Sequence, residues 1–311
     1  MLVDWYIVMY QIKICFSSDI DVANVWFIDC DNLNFMKNTA SNTGWSTPGF
    51  GAPEVIQGKG NTMYSDSYSF AIALFWTLVG KHPFMGHSVD EALENEDFLE
   101  ISEEEYACSG RFPWIGDSQD NSNQSDKGLP YENFLSKEIQ TYFQRTFGKD
   151  GIKNRQKRTT MPEWAYILAK ETDHIVHCSK CEMQYPGSEY SECPWCDEKN
   201  KIITIKSWKS EVALEKEQWE FIREIKKEID VPLRILEGFC ADNIKECAFR
   251  VRISSNVIEM DHFNDKYEFS ILTNGEKKII YGSVKIEKMK NFDIFATQEK
   301  NGVGYHLKIE V

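Results

Sequence analysis

The sequence motifs Cys178-Ser-Lys-Cys181 and Cys193-Pro-Trp-Cys196 are separated by eleven residues, and nothing else in this 311-residue chain restricts its folding as tightly. Two residues between paired cysteines let one tight turn aim both sulfurs at a common centre. The gap of eleven is long enough for a hairpin that brings the second turn opposite the first. Four thiolates so arranged suit tetrahedral Zn²⁺ at about 2.3 Å per sulfur. Iron in a rubredoxin-like site uses similar ligands, and redox dithiols or unbound thiols are the other readings of the spacing. His174 and His177 could substitute as ligands, although surface histidines flanking the site are the simpler expectation. Four cysteines close the coordination shell, so the metal is expected to be structural rather than catalytic. Cys15, Cys30, Cys108, Cys240 and Cys247 read as ordinary small buried residues. Nine cysteines with four in two tight pairs fit a reducing cytoplasm better than a secreted disulfide scaffold.

The chain exceeds the usual size of one domain, and its composition changes along its length. Residues 1–172 carry helical stretches, Asp66–Val79, Leu135–Phe147 and Met161–Glu171, between loops marked by Gly and Pro. In the first of these Phe70, Leu74, Trp76, Leu78 and Val79 read as core. The polar, acidic loop Gly116–Gly128 reads as exposed and mobile. Residues 173–205 hold the cysteine pairs. Residues 206–311 open with a charged, helix-like segment, Glu211–Glu228, containing Trp219 and Phe221. They continue with period-two runs such as "AFRVRI", "FDIFAT" and "GYHLKIEV". With a turn signal at Thr273–Glu276, these runs predict antiparallel strands and a C-terminal all-β domain, a β-sandwich being plausible. The fold class expected is multidomain α+β. A formal charge of -14 argues against a general binder of nucleic acid or anionic membrane. No run reaches transmembrane length, and the N-terminal "MLVDWYIVMYQIKICF" lacks a basic leader.

In "WFIDCDNLNF" the apolar Trp26, Phe27 and Ile28 read as a short buried strand that opens onto two acids, Asp29 and Asp31. A polar turn closing the strand is the plain reading. Downstream stand "STPGFGAPE" (Ser46–Glu54), "SDSYSFAIALFWTLVGKHPF" (Ser65–Phe84) and "RTTMPEW" (Arg158–Trp164). In this order and spacing the pieces resemble the C-terminal lobe of a protein kinase. The resemblance implies that Asp29, with Asp31 beside it, faces Mg²⁺ and ATP, and that Ala52-Pro53-Glu54 closes the activation segment. It further implies that Thr47 lies near the substrate hydroxyl and that Asp66 holds the catalytic loop from the central helix. Arg158 would pair with Glu54. Without the resemblance Asp66 reads as a helix cap. Cys30 and Asp31 replace the Phe and Gly of the family's Asp-Phe-Gly, which removes a flexible hinge.

A narrower resemblance covers residues 16 to about 198. "VWFIDCDN", "GRFPWIGDSQDNSNQSDKGLP", "YFQRTFG" and the terminal "CPWC" look like bacterial Ser/Thr-type kinases of tellurite-resistance-type gene clusters, in which a zinc ribbon follows the kinase lobe. That family implies von Willebrand A-type and PP2C-type phosphatase proteins as partners; the charge and the lack of a long apolar run lead to the expectation of no nucleic acid and no membrane.

A kinase also needs a glycine-rich loop, a strand lysine and a catalytic loop of the form His-Arg-Asp-x-x-x-x-Asn. Only 28 residues precede Asp29, so the expectation is a lobe whose N-terminal partner is missing. Val8 and Lys13 stand where the Asp and Asn of the catalytic loop belong. Valine accepts no proton and lysine repels Mg²⁺. A shifted reading of the codons for "WYIVMYQIKI" permits "V-Y-C-D-V-S-N-K-N", with Asp and Asn at the spacing required, so a truncated or frameshifted kinase is expected. The function expected is phosphoryl transfer from ATP to a protein hydroxyl. It would be inactive in the chain as written, with Mg²⁺ and ATP bound only when an N-lobe completes the cleft. A non-catalytic pseudokinase and zinc-ribbon scaffold is the alternative, and a zinc-ribbon adaptor with a kinase relic is a third reading.

Overall fold

The computed structural model describes residues 5–7, 33–35, 46–95, 100–125, 130–210, 218–240, 245–254, 257–273, 275–287 and 291–311. They form an α+β structure in two compact units. One comprises Met1–Tyr131 with Lys137–Trp164, the other Glu132–Ser136 with Ala165–Val311. Among the described residues no helix is long and apolar enough to cross a membrane.

The first unit holds a two-stranded antiparallel ribbon, β1 (Trp5–Ile7) and β2 (Leu33–Phe35). Helices α1 (Pro53–Ile56), α2 (Met63–Val79), α3 (His87–Glu94), α4 (Glu103–Ala107), α5 (Lys137–Phe147), α6 (Lys149–Lys153) and α7 (Met161–His174) follow, α7 ending in the second unit. Helix α2 starts where its orphan N–H groups are satisfied. Thr62 Oγ1 accepts from Ser65 N, while Ser65 Oγ accepts from Thr62 N at 2.7 Å, a reciprocal box. Asp66 therefore does not cap this helix; it lies buried one position past the box. Tyr68, Ala71, Ile72, Phe75 and Val79 form the buried stripe at helical spacing. The core expected of Trp76 and Leu78 is not found, since both are 38% exposed, and Phe70 and Leu74 are only half-buried. The stripe is set by Phe75, whose ring meets the edges of Trp114 and Phe143 at 5.8 and 5.2 Å.

The Gly116–Gly128 loop is exposed at Ser118, Gln119, Asn121, Ser122 and Gln124, as its polarity suggests, but two of its polar residues turn inward. Asn123 is wholly buried and donates to Phe84 O and Pro113 O at 2.8 and 2.7 Å. Asp117 is buried too, accepting from Gln144 Nε2 at 2.9 Å. Gly86 packs so closely that a Cβ there would lie 1.9 Å from Asn123 O.

In the second unit β3 (Ile175–His177) and β4 (Gln184–Pro186) form a small hairpin. The remaining strands are β5 (Ile202–Lys209), β6 (Trp219–Glu224) and β7 (Ile229–Pro232), then, after the short helix α8 (Arg234–Glu237), β8 (Cys247–Ile253), β9 (Val257–Asp261), β10 (Tyr267–Thr273), β11 (Glu276–Ile279), β12 (Val284–Glu287), β13 (Asn291–Gln298) and β14 (Gly304–Glu310). Two antiparallel sheets, ordered β11-β10-β13-β14-β5-β6 and β12-β9-β8-β7, pack their apolar faces into one core with Phe221, Phe249, Met260, Ile294 and Leu307 at its centre. Period-two alternation, as in β14, where Tyr305, Leu307 and Ile309 point inward, builds this sandwich. Thr273 pairs with Glu276 across the expected turn, and Gly275 takes φ +83 there. The helix expected over Glu211–Glu228 is not what forms across Trp219–Glu224. That stretch is β6, paired with β5 from Ser207↔Trp219 to Ile202↔Glu224. Its charge density imitates a solvated helix, but Trp219 and Phe221 alternate with Glu220, as a strand requires. Strand β5 runs through the boundary expected between residues 205 and 206.

Candidate metal centre and kinase-like segment

The two cysteine turns are built alike. Glu182 N donates to Cys178 O at 3.0 Å, and Asp197 N donates to Cys193 O at 2.9 Å. Cys178 N donates to Met183 O and Cys193 N to Glu198 O, each at 2.9 Å. Glu182 and Asp197 sit at φ 62 and 59, the left-handed conformation that closes each turn. The hairpin β3–β4 brings the first turn opposite the second. The sulfurs of Cys178 and Cys196 are 3.6 Å apart, as are those of Cys181 and Cys193. All four lie within 4.8 Å of one another. Sulfurs bound at about 2.3 Å to one tetrahedral ion would be about 3.8 Å apart, so this donor set can hold a metal ion.

Its surroundings are polar and ordered. Asn200 Oδ1 accepts from Ser179 N and Oγ at 2.8 and 2.9 Å, and its Nδ2 donates to Tyr185 Oη at 3.1 Å. Burial alone would raise the Cys178 thiol, but the N–H groups of Cys181 and Lys180 and the side chains of Asn200 and Cys196 bring it down to about 6. Burial pushes the Cys193 thiol up to about 12, with the Cys181 and Cys178 thiols adding to the rise. One proton leaves such a cluster easily and the next does not. A divalent cation reverses this by neutralising the thiolates together. His174 is buried rather than on the surface, its Nε2 3.6 Å from Glu220 Oε2. His177 donates its backbone N–H to Glu224 Oε2 at 3.0 Å. Neither belongs to the four-thiol group. Of the other cysteines Cys108 is buried, Cys240 and Cys247 are exposed, and Cys15 and Cys30 lie outside the described residues.

In the first unit the segment from Ser46 runs into α1 through a turn in which Phe50 N donates to Thr47 O at 3.0 Å. Ala52 and Pro53 are buried and Pro53 occupies the first turn of α1. Glu54 on that turn meets Arg158 in a two-pronged pair, Nη1 to Oε1 at 2.7 Å and Nη2 to Oε2 at 2.8 Å. The guanidinium also donates from Nε to Gly151 O and from Nη1 to Tyr64 O, and it lies over the Tyr68 ring. Burial would raise the Glu54 carboxyl, yet Arg158 holds it below the ordinary value. Gly49, two residues past Thr47, is held from the other side. His82 Nδ1 accepts from Phe84 N, which leaves its Nε2 to donate to Gly49 O at 2.8 Å. Cys108 Sγ donates to the same carbonyl at 3.2 Å. Burial keeps His82 below its usual pKa and Cys108 above. Gly49 is at φ +80, and a Cβ would lie 2.7 Å from Glu104 Cβ, so no larger residue fits.

The structure thus brings Glu54 and Arg158 together, places Thr47, Ala52 and Pro53 on the segment they anchor, and buries Asp66 on α2. Asp29 and Asp31 lie outside the described residues, as do Val8 and Lys13. Sequence reasoning missed the clamp of His82 and Cys108 on Gly49; an apolar run broken by Gly-Lys-His-Pro was its only signal. It also missed Asp173, fully buried in the second unit, which takes Arg234 Nη2 on Oδ1 and Arg234 Nε on Oδ2, both at 2.6 Å. Trp219 Nε1 reaches Oδ2 at 2.8 Å.

No family model matches the chain. A stretch of 52 residues, 17% of the chain, is 42% identical to the serine/threonine-protein kinase AtPK1/AtPK6 of Arabidopsis thaliana, and to the same extent to AtPK2/AtPK19 of that plant. The stretch spans 11% of the length of either relative. The chain is in part similar to protein kinases.

Proposed function

We propose that the first unit is the substrate-side lobe of a Ser/Thr-type protein kinase and that the four cysteines hold a structural Zn²⁺. The observation that carries the kinase reading is the Glu54–Arg158 pair. It joins residues 104 apart in sequence and fixes the end of a Thr-Pro-Gly segment on the helical core. In this reading Thr47 contacts the substrate hydroxyl, and Asp29 with Asp31 faces the metal ions between the β- and γ-phosphates. Asp66 steadies the catalytic loop from α2. The chain as written transfers no phosphate, because Val8 and Lys13 stand where a proton acceptor and a metal ligand are required. The same two residues favour a second reading, a non-catalytic scaffold that binds protein partners. Phosphatase of the PP2C type and von Willebrand A-type proteins are the proposed partners.

The DNA from several hundred bases upstream through the Asp19 codon separates the two. A frame encoding a glycine-rich loop, a strand lysine and Asp-x-x-x-x-Asn that joins at Ile14 supports the kinase. The protein so extended is then expected to phosphorylate a Ser/Thr substrate and to lose that activity on Asp29→Ala. An extended protein that leaves ATP untouched sinks the catalytic reading. For the metal, elemental analysis is expected to give one zinc per chain, lost in Cys178→Ser and Cys193→Ser. Iron in its place, with the visible absorption of an iron–thiolate site, would replace zinc.

A further inference from the structure

The first unit contains a cleft that neither phosphoryl transfer nor the cysteine cluster uses. Its volume is about 510 Å³, inside the range of small-ligand sites. Its walls are α1 and the turn after it, the Ser109–Gly110 turn, and residues 152–156. Three cations line it, Lys59, Lys153 and Arg155, against one acid, Glu54. That acid is held by Arg158 through both of its oxygens, and of the three lining cations it acts only on Arg155, through its charge rather than through a hydrogen bond. Lys59 Nζ has the neutral amide oxygen of Gln57 at 2.8 Å. Neither Lys153 nor Arg155 forms an ion pair among the described residues. In a chain of formal charge -14, positive charge is in excess here, three cations against one carboxylate that is already bound to Arg158. Ser109 Oγ, also in the lining, is shielded from solvent and has no hydrogen-bond partner.

Like charges lining one cleft repel, and a hydroxyl left without a partner in a dry position is destabilising. An anion with several acceptor oxygens relieves both. A carboxylate supplies one charge and two oxygens. A phosphoryl group supplies a charge of about −1.5 to −2 at neutral pH and three strong acceptors, which suits three cations and a hydroxyl better. We propose that this cleft binds a phosphoryl group, either free phosphate or the phosphorylated Ser or Thr of a peptide. The assignment does not depend on the chain transferring phosphate, so its failure and that of the kinase reading are separate results.

The test is calorimetric titration of the full chain with inorganic phosphate and with acetyl-Gly-phosphoserine-Gly-amide, in low and in physiological salt. Saturable binding of at least one probe is expected, weakening with salt and falling about tenfold or more for each cation removed. The variants are Lys153→Ala with Arg155→Ala, and separately Lys59→Ala, which stands in if the double variant does not fold. Lys149→Ala, outside the cleft, is expected to bind as the parent does. A peptide tighter than phosphate supports the site and assigns a phosphorylated protein as its source; equal affinities support it and assign free phosphate. The proposal is overturned if neither probe binds at millimolar concentration, or if a folded cleft variant binds both as well as the parent chain.

Discussion

Among the described residues, the helical unit and the β-rich unit each hold one ion-paired side chain of zero exposure, and they choose opposite signs. In the first it is the Arg158 cation, in the second the Asp173 anion. Each dry ion has a partner that keeps some contact with water, Glu54 at 12% and Arg234 at 11% side-chain exposure. Each also draws neutral groups from other parts of the chain. Arg158 reaches the carbonyls of Gly151 and Tyr64; Asp173 receives the indole N–H of Trp219. The difference teaches where such a pair is vulnerable. Removing the wetter partner strands the drier ion, which has no route back to solvent. The same change made on the dry side releases a charge that can rehydrate.

The largest effect is expected from Arg234→Leu, which leaves a carboxylate of zero exposure with, among the described residues, the Trp219 indole as its hydrogen-bond donor and Arg223 at 4.0 Å. A loss of about 3–5 kcal/mol is expected, read by urea denaturation followed by tryptophan fluorescence. A loss below 1 kcal/mol would break the comparison. Next comes Glu54→Gln, expected to lose about 3 kcal/mol, whereas Glu54→Leu with Arg158→Met should recover most of it because no charge remains buried. A double variant no better than the single would show that the pair stabilises in its own right.

The acid response sharpens the contrast. Glu54 has a folded pKa below its ordinary 4.5, so its contribution is complete above that value and disappears as pH falls through the folded pKa. His82, also depressed from 6.5, contributes above pH 6.5 and loses that contribution as pH falls. Stability of the helical unit should therefore decline in two steps. His82→Gln, which retains a donor toward Gly49 O, should flatten the upper step and Glu54→Gln the lower one. The smallest effect is expected from Thr62→Ala, about 1 kcal/mol for a lost cap, seen as reduced protection of the first α2 amides in hydrogen exchange.

How much of this could be read beforehand depended on the distance over which each signal acts. The four thiols are spread over 19 residues, and the paired spacing already encodes the two turns. Strand alternation is equally local, so β8, β13 and β14 were legible. Trp219–Glu224 was not, because Lys and Glu on both sides imitate an exposed helix and only tertiary pairing with β5 decides. The burial of Asn123 could not be foreseen, as its partners Phe84 and Pro113 lie in other segments. Glu54 and Arg158 are paired only through resemblance; nothing in the sequence between two residues 104 apart announces it. Trp76 and Leu78 failed for a simpler reason. A helix that is apolar on most sides does not say which side faces inward.

Strand β5 begins in one core and continues into another. Ile202 packs against the cysteine turns with Ile222 of β6, while Ile203, Ile205 and Phe221 belong to the sandwich. Two neighbouring strands are thus common property, and neither core can come apart without unsettling the other. With an ion bound at the cysteines as proposed, free metal concentration becomes for the sandwich a thermodynamic variable on the same footing as temperature or urea. An ion held only by the ordered cysteine turns adds RT ln(1 + [M]/Kd) to the stability of the whole. The melting point of the sandwich should therefore rise with the logarithm of available metal, although no thiol touches its centre.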